Sequence, residues 1–306
     1  MRSTRLVSAA LLSIPIAAGC VHRPETSGDE HAGHVMTSGA TMTLTPAPAP
    51  TGMMAIPAGA SDAKARLAAS PRHGEWVMIA TSADGGDSVR AWVVYPQRPD
   101  KAPVIVVVHE IFGLSTWVRG VADQLAADGY IAIAPDLLTN KHVPGSPDSI
   151  SVDSAVAAIR TLKSQEVQRQ LDAVAAYGMK LPSALPKYGI VGFCWGGSTV
   201  FAHAVHAPSL GAAVVYYGGA PQSAELVSVR APVIGFFGGN DARVNATIPP
   251  ADSAMKALGK RYEHTIFVGA GHGFLRAQAE SGGANLEAST KAWPATIAWF
   301  RRYLGA

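Results

Sequence analysis

The sequence predicts an α/β fold of the doubly wound kind, a mostly parallel sheet with helices on both faces. Three observations carry this. Unbroken β-branched runs such as Val104–Val108 have the composition of strands buried on both sides of a parallel sheet. These runs alternate with stretches of helical length and spacing, which calls for right-handed crossovers between parallel neighbours. Finally, Glu110, Cys194, Asp241 and His272 each fall at the carboxyl end of a predicted strand, where the functional loops of such sheets gather.

Taken in order, the chain begins outside that fold. Arg2 and Arg5 precede an apolar run from Leu6 to Ile16, followed by Ala17-Ala18-Gly19-Cys20. This is the layout of a secretory signal, too short for an ordinary membrane-spanning helix, and a Cys after Ala-Gly resembles a bacterial lipobox. Residues 1–19 are therefore read as a signal peptide of the lipoprotein type and Cys20 as the lipidated residue. The expectation is an exported protein of the periplasm or cell envelope, held to a bacterial membrane by a lipid anchor. Residues 20–72 are rich in Ala, Pro, Gly, Thr, Ser and Met without a sustained period of 2 or 3.6, and are read as a flexible linker. His22, His31 and His34 lie in it with no carboxylate or thiolate cluster to complete a metal site.

The folded domain is expected over residues 73–306. Trp76–Ile79 and Val89–Tyr95, joined by Asp84-Gly85-Gly86-Asp87, read as an antiparallel hairpin at a sheet edge. The strand Val104–Val108 runs into His109-Glu110-Ile111-Phe112-Gly113. Ser115 or Thr116 caps a helix whose apolar positions are Val118, Val121, Ala122 and Leu125, and Gly129 stops it. A strand from Tyr130 to Ala134 leads through Pro135-Asp136-Leu137-Leu138 into a polar loop reaching about Ser151, then two helical stretches, the second with Val167, Leu171 and Val174 on one face. After Gly197 come a helix carrying Val200, Phe201, Ala204 and Val205, strands at Ala212–Tyr217 and Val233–Phe237, a helix around Ala251–Leu258 and a strand at Glu263–Val268. A last helix sets Trp293, Ile297, Phe300 and Leu304 on one side.

Composition excludes some functions. Net charge is +3 for the whole chain, and removing residues 1–19 takes away two Arg and no acids, giving 3 − 2 = +1. Lys and Arg are dispersed, so the basic stripe that phosphate recognition needs is missing and nucleic acid is not expected as a partner. If Cys20 is acylated, Cys194 is the remaining thiol of the two cysteines, and no intramolecular disulfide can form.

The chemistry centres on Gly192-Phe193-Cys194-Trp195-Gly196, the pattern of a nucleophile elbow with Cys as nucleophile. Asp241, after Gly238-Gly239-Asn240, and His272, within Gly271-His272-Gly273, follow in the order nucleophile, acid, histidine. A thiolate attacks a carbonyl, an imidazole holds and returns the proton, and a carboxylate fixes the imidazole's tautomer. A helix N-terminus beneath Cys194 and a nearby imidazole are expected to lower the thiol's pKa. The oxyanion hole is assigned to the backbone N–H groups of Trp195 and Ile111. His109-Glu110 does not open an H-E-x-x-H zinc motif, because Gly113 stands where the second His belongs. No phosphate loop or dinucleotide fingerprint occurs either, so the chemistry requires no cofactor and no metal.

From about residue 74 to the end the chain resembles the dienelactone hydrolase family of α/β-hydrolases. The resemblance rests on His109-Glu110-Ile111-Phe112-Gly113, Ala134-Pro135-Asp136-Leu137, Gly192-Phe193-Cys194-Trp195-Gly196-Gly197, Gly239-Asn240-Asp241 and Gly271-His272-Gly273-Phe274. It implies a Cys194-His272-Asp241 triad acting on a small-molecule lactone or activated ester, with Glu110 contacting the resting thiol and controlling its activation. It also implies arginines that grip a substrate carboxylate. Arg276 matches one of them; the other, in the family's Asp-Leu-Tyr-x-Arg segment, is replaced here by Asp136-Leu137-Leu138-Thr139-Asn140, with Lys141 adjacent. A Lys point charge is no simple substitute for a bidentate Arg. The second reading to be weighed is a membrane-tethered binding protein that keeps the fold without turnover.

Overall fold

The computed structural model describes residues 56–82, 85–144 and 149–305. The signal peptide, Cys20, the three linker histidines and the linker up to residue 55 lie outside the described residues, as do the first half of the hairpin turn and the middle of the 138–151 loop. Among the described residues there is one eight-stranded sheet. Its strands are β1 (Gly74–Ala80), β2 (Ser88–Val94), β3 (Ala102–Val108), β4 (Ile131–Asp136), β5 (Ala184–Phe193), β6 (Ala212–Tyr216), β7 (Val233–Gly238) and β8 (Tyr262–Phe267). Their order across the sheet is β1-β2-β4-β3-β5-β6-β7-β8. β1 and β2 form the expected antiparallel hairpin at one edge, β2 meets β4 antiparallel, and every pairing from β4 to β8 is parallel.

Composition explains this order. β3, β4, β6 and β7 are buried at every position, as strands covered on both faces must be. The helices are α2 (Thr116–Ala127), α3 (Val152–Ile159), α4 (Ser164–Met179), α5 (Trp195–His206), α6 (Ala242–Asn245), α7 (Ile248–Ala257) and α8 (Ala284–Leu304). Ser115 caps α2, its hydroxyl accepting from the Val118 N–H. α2 and α8 seal one face through Val118, Val121, Leu125, Trp293, Ile297, Phe300 and Leu304. α4 and α5 seal the other through Val167, Leu171, Val174, Val200 and Phe201.

The packed fold begins earlier than composition indicates. Residues 56–72, assigned from sequence to the linker, include a short helix α1 (Ala63–Ala68) lying on α2. The reason is polar satisfaction. Asp123 and Gln124 sit on the buried side of α2, and buried polar groups must find partners. Arg72 grips Asp123 with Nε at 3.0 Å and Nη2 at 2.5 Å, the Ser70 hydroxyl donates to the same carboxylate, and Arg66 reaches Gln124 Oε1 at 2.6 Å.

Candidate active site

The elbow lies between β5 and α5. Cys194 stands at φ 57° and ψ −118°, a region that costs a non-glycine residue energy unless surrounding structure holds it. Its neighbours must be small. A Cβ on Gly192 would run into the Gly196 backbone, and one on Gly196 into the carbonyls of Val108 and His109. The glycine spacing therefore lets the elbow close on the carboxyl end of β3, which presents Glu110 and Ile111 to Cys194.

The sulfur is partly buried, and its pKa is raised. Burial is the largest cause and the Glu110 carboxylate the next; the Trp195 and Ile111 amides and the Arg243 guanidinium pull the other way. This corrects the expectation of a net lowered thiol. The N-terminal amides do favour the thiolate, but desolvation and an adjacent acid outweigh them. The same two amides are those assigned to the oxyanion hole, so the resting thiol sits beside the position a substrate oxygen would take.

Asp241 ends β7's exit loop as the N-cap of α6, where its Oδ1 accepts from the Val244 N–H at 3.3 Å. Its Oδ2 lies 2.5 Å from His272 Nδ1. Asp241 is buried, while the His272 ring is about one-third exposed and packs edge-on against Tyr217, with centroids 5.2 Å apart. Among the described residues no hydrogen bond joins Cys194 to His272, while the Glu110 charge and the Trp195 and Ile111 amides act on the thiol.

Glu110 is 3% exposed. Burial pushes its carboxyl up to about 7, against the opposing pull of Arg276, whose Nε lies 3.3 Å from Glu110 Oε2 without hydrogen-bond alignment. Sequence assigned these two residues separate roles, thiol control and substrate binding; in the fold they form one ion pair. The Arg276 guanidinium also stands over the Phe112 ring, 4.7 Å from its centroid. Beside it a cavity of about 250 Å³ is lined by Ala60, Phe112, Trp117, Ile150, Val152 and Arg276, with Ser115 and Thr116. Lys141 is turned away, bound to Glu166 Oε2 at 2.9 Å, and Asn140 bonds the Ser88 carbonyl. Neither offers the second cation.

Two residues to which the motifs assign no role shape the site. His109 is fully buried and its pKa is lowered by that burial. As a neutral ring it can donate from Nδ1 to the Glu110 carbonyl at 2.7 Å and accept at Nε2 from the Leu137 N–H at 3.3 Å, tying the loop after β3 to the one after β4. Its ring also stacks on Trp195. Tyr217, at φ 41°, is buried between His272 and Phe193, and burial together with Glu110 raises its pKa. Its only sequence signal was its place at the carboxyl end of a predicted strand, before Gly218-Gly219.

A parallel sheet with a strained nucleophile elbow and a following carboxylate–histidine pair defines an α/β-hydrolase. Within that class, the chain belongs to the dienelactone hydrolase family: the family model matches residues 89–304. A protein of Salmonella typhimurium provisionally named a carboxymethylenebutenolidase is 31% identical over 234 residues, covering 72% of this chain and 85% of the relative. A Synechocystis relative with the same name is 33% identical over 225 residues, covering 67% and 88%. Among solved structures, one described as a dienelactone hydrolase from Klebsiella pneumoniae superposes with a TM-score of 0.67 at 27% identity, covering 76% of this chain and 99% of its own. A dienelactone hydrolase-like phosphotriesterase from metagenomic libraries, at 21% identity and a TM-score of 0.65, shares the fold. The chain is thus a hydrolase of the ester- and lactone-cleaving kind, with a small-molecule substrate.

Proposed function

We propose that the protein cleaves a lactone or activated ester through an acyl-thioenzyme on Cys194. The observation that carries this is the His272–Asp241 pair at 2.5 Å standing at the same sheet end as a cysteine on a strained elbow. The substrate carbonyl oxygen enters between the Ile111 and Trp195 N–H groups, which puts the sulfur toward His272. Nε2 takes the thiol proton while sulfur attacks the carbonyl carbon; Asp241 stabilises the resulting imidazolium. The carbonyl re-forms, the C–O bond breaks, and the leaving alkoxide takes the proton from His272. A water molecule, deprotonated by the same ring, then attacks the thioester; the acid departs and the thiol is restored. Each oxyanion donor contributes about 3 kcal/mol to the transition state.

The raised thiol pKa favours substrates with good leaving groups. A resting thiol does little unprompted chemistry, and it becomes a nucleophile when a bound carbonyl turns it from Glu110 to His272. The tethered binding protein considered above has no observation on its side. Hydrolysis of p-nitrophenyl acetate and of a dienelactone, with Cys194→Ala, His272→Ala and iodoacetamide-treated protein, tests the mechanism: each is expected to lose at least a thousandfold in kcat/KM. Comparing the two substrates also tests Arg276 as a carboxylate ligand, because Arg276→Gln should penalise the anionic lactone more than the neutral ester.

Export and lipid anchoring through Cys20 belong to the same proposal, supported by the charged start, the short apolar run and Ala18-Gly19-Cys20. Radiolabelled palmitate should be incorporated into the full chain and lost in Cys20→Ser; equal label in both would remove the anchor.

A further inference from the structure

We propose that Ile56–Ala60 is a positioning strap for the turn that carries Arg276 and acts through Glu110 on the Cys194 thiol. The segment precedes the part of the chain that matches the family model, residues 89–304, and its composition reads as linker. Yet four of its backbone groups are tied down at the site. The Ala60 N–H donates to the Arg276 carbonyl at 2.8 Å. Gln278 Nε2 donates to the Pro57 carbonyl at 2.8 Å and also to the Leu275 carbonyl at 3.0 Å, bridging strap and turn. Trp117 Nε1 donates to the Ala58 carbonyl at 3.1 Å, and Arg66 holds the Ile56 carbonyl at 2.9 Å. Trp117 in turn packs edge-on against Phe193, the residue before Cys194, at 5.0 Å.

Strap and turn are in direct contact. A Cβ on Gly59 would lie at van der Waals distance from the Arg276 carbonyl oxygen, 3.4 Å, and from Gln278 Cβ, 3.5 Å, so the γ-methyls of a β-branched side chain there would crowd the turn. Ala60 is also part of the wall of the cavity that Arg276 and Phe112 share. The turn has local bonds of its own, the Arg276 and Ala277 N–H groups both meeting the Gly273 carbonyl at 2.9 Å, so loosening the strap shifts Arg276 without unfolding the loop. Arg276 is the cation beside Glu110, and Glu110 is the acid that disfavours the Cys194 thiolate. The groups acting on the sulfur are Glu110, the Trp195 and Ile111 amides and Arg243, with His272 and Tyr217 across the site; Arg276 and Tyr217 are the charged and titratable neighbours coupled to Glu110. Withdrawing Arg276 removes the cation that favours the Glu110 carboxylate, so Glu110 stays protonated to higher pH and opposes the Cys194 thiolate less near neutrality.

The consequence for turnover rests on Cys194 as nucleophile, but the test does not. In the full chain, Cys194 is alkylated with iodoacetamide from pH 6 to 10 and followed by peptide mass spectrometry, beside Gly59→Val, Ala60→Pro and Gln278→Ala. Ala60→Pro removes the N–H that holds the Arg276 carbonyl; Gln278→Ala removes a half-buried amide and leaves the core intact. Each is expected to move the alkylation midpoint down by about half a pH unit, which is about threefold faster labelling at neutral pH. Superimposable profiles overturn the strap. So does a lower thermal midpoint with an unmoved profile, which would make the segment structural only. Alkylation needs no hydrolysis, so loss of the catalytic mechanism and loss of the strap would be told apart.

Discussion

Replacing Asp241 with Asn probes the proposed catalytic pair with almost no change of shape. Asp241 Oδ1 accepts from the Val244 N–H while Oδ2 faces His272 Nδ1. In the Asn variant the amide oxygen keeps the Val244 bond, because the NH₂ group cannot accept, and the NH₂ is thereby aimed at Nδ1. A ring nitrogen facing a donor must be the acceptor, so the proton moves to Nε2, the atom that receives the thiol's proton in the proposed mechanism. The imidazole is then held in the wrong tautomer, and the buried negative charge that would stabilise the imidazolium is gone. In triads of this kind such a change costs about 10⁴-fold in kcat, roughly 5.5 kcal/mol of activation free energy. Stability should hardly move, since Asn is as good a helix N-cap as Asp. Steady-state hydrolysis of p-nitrophenyl acetate at pH 7–8, with a thermal melt of the same preparation, reads both. Activity within tenfold of the parent, with the melt unchanged, would refute the assigned role of the Asp241–His272 contact.

Other expectations follow from the charges and packing around the elbow. Glu110→Gln removes the acid that raises the thiol's pKa, so Cys194 alkylation near neutrality should become faster. The same carboxyl is held at about 7 by burial, above its unfolded value. Its stabilising contribution is complete below the unfolded pKa near 4.3 and falls away as pH rises through 7. Glu110→Gln should therefore be more stable than the parent at pH 8, by a gain on the order of 3–4 kcal/mol, with the gap closing toward pH 5; a gap constant with pH would contradict this. Gly196→Ala places a methyl against the Val108 and His109 carbonyls and is expected to destabilise by about 2–3 kcal/mol or more, visible as a lower urea midpoint.

The sheet and the elbow were legible because both leave local marks. All-apolar β-branched runs can only be central strands, and the Gly192, Gly196 and Gly197 spacing exists because backbone passes where a Cβ would sit. Hence Glu110, Cys194, Asp241 and His272 were expected at one sheet edge, where the fold brings them. What local pattern does not carry is the balance of opposing effects. A helix N-terminus beneath Cys194 is visible in sequence, but the burial and the Glu110 charge that outweigh it depend on the packing of loops after β3 and β8. The pairing of Arg276 with Glu110, 166 positions apart by number (276 − 110), is likewise a product of topology. Residues 56–72 look like linker because their anchoring lies in backbone carbonyls and in Asp123 and Gln124, which stand far along the chain on an otherwise apolar helix. Lys141, next to the missing arginine in sequence, is taken by Glu166, a contact that no spacing rule announces.

The central claim is that Cys194 carries the acyl group. Mixing the protein with a slowly deacylating p-nitrophenyl ester, quenching in acid within the first turnover and mapping the peptides by mass spectrometry tests it directly. One acyl increment is expected on Cys194, formed at the rate of the p-nitrophenolate burst and absent in Cys194→Ala. Full burst and turnover with Cys194 unmodified would contradict it.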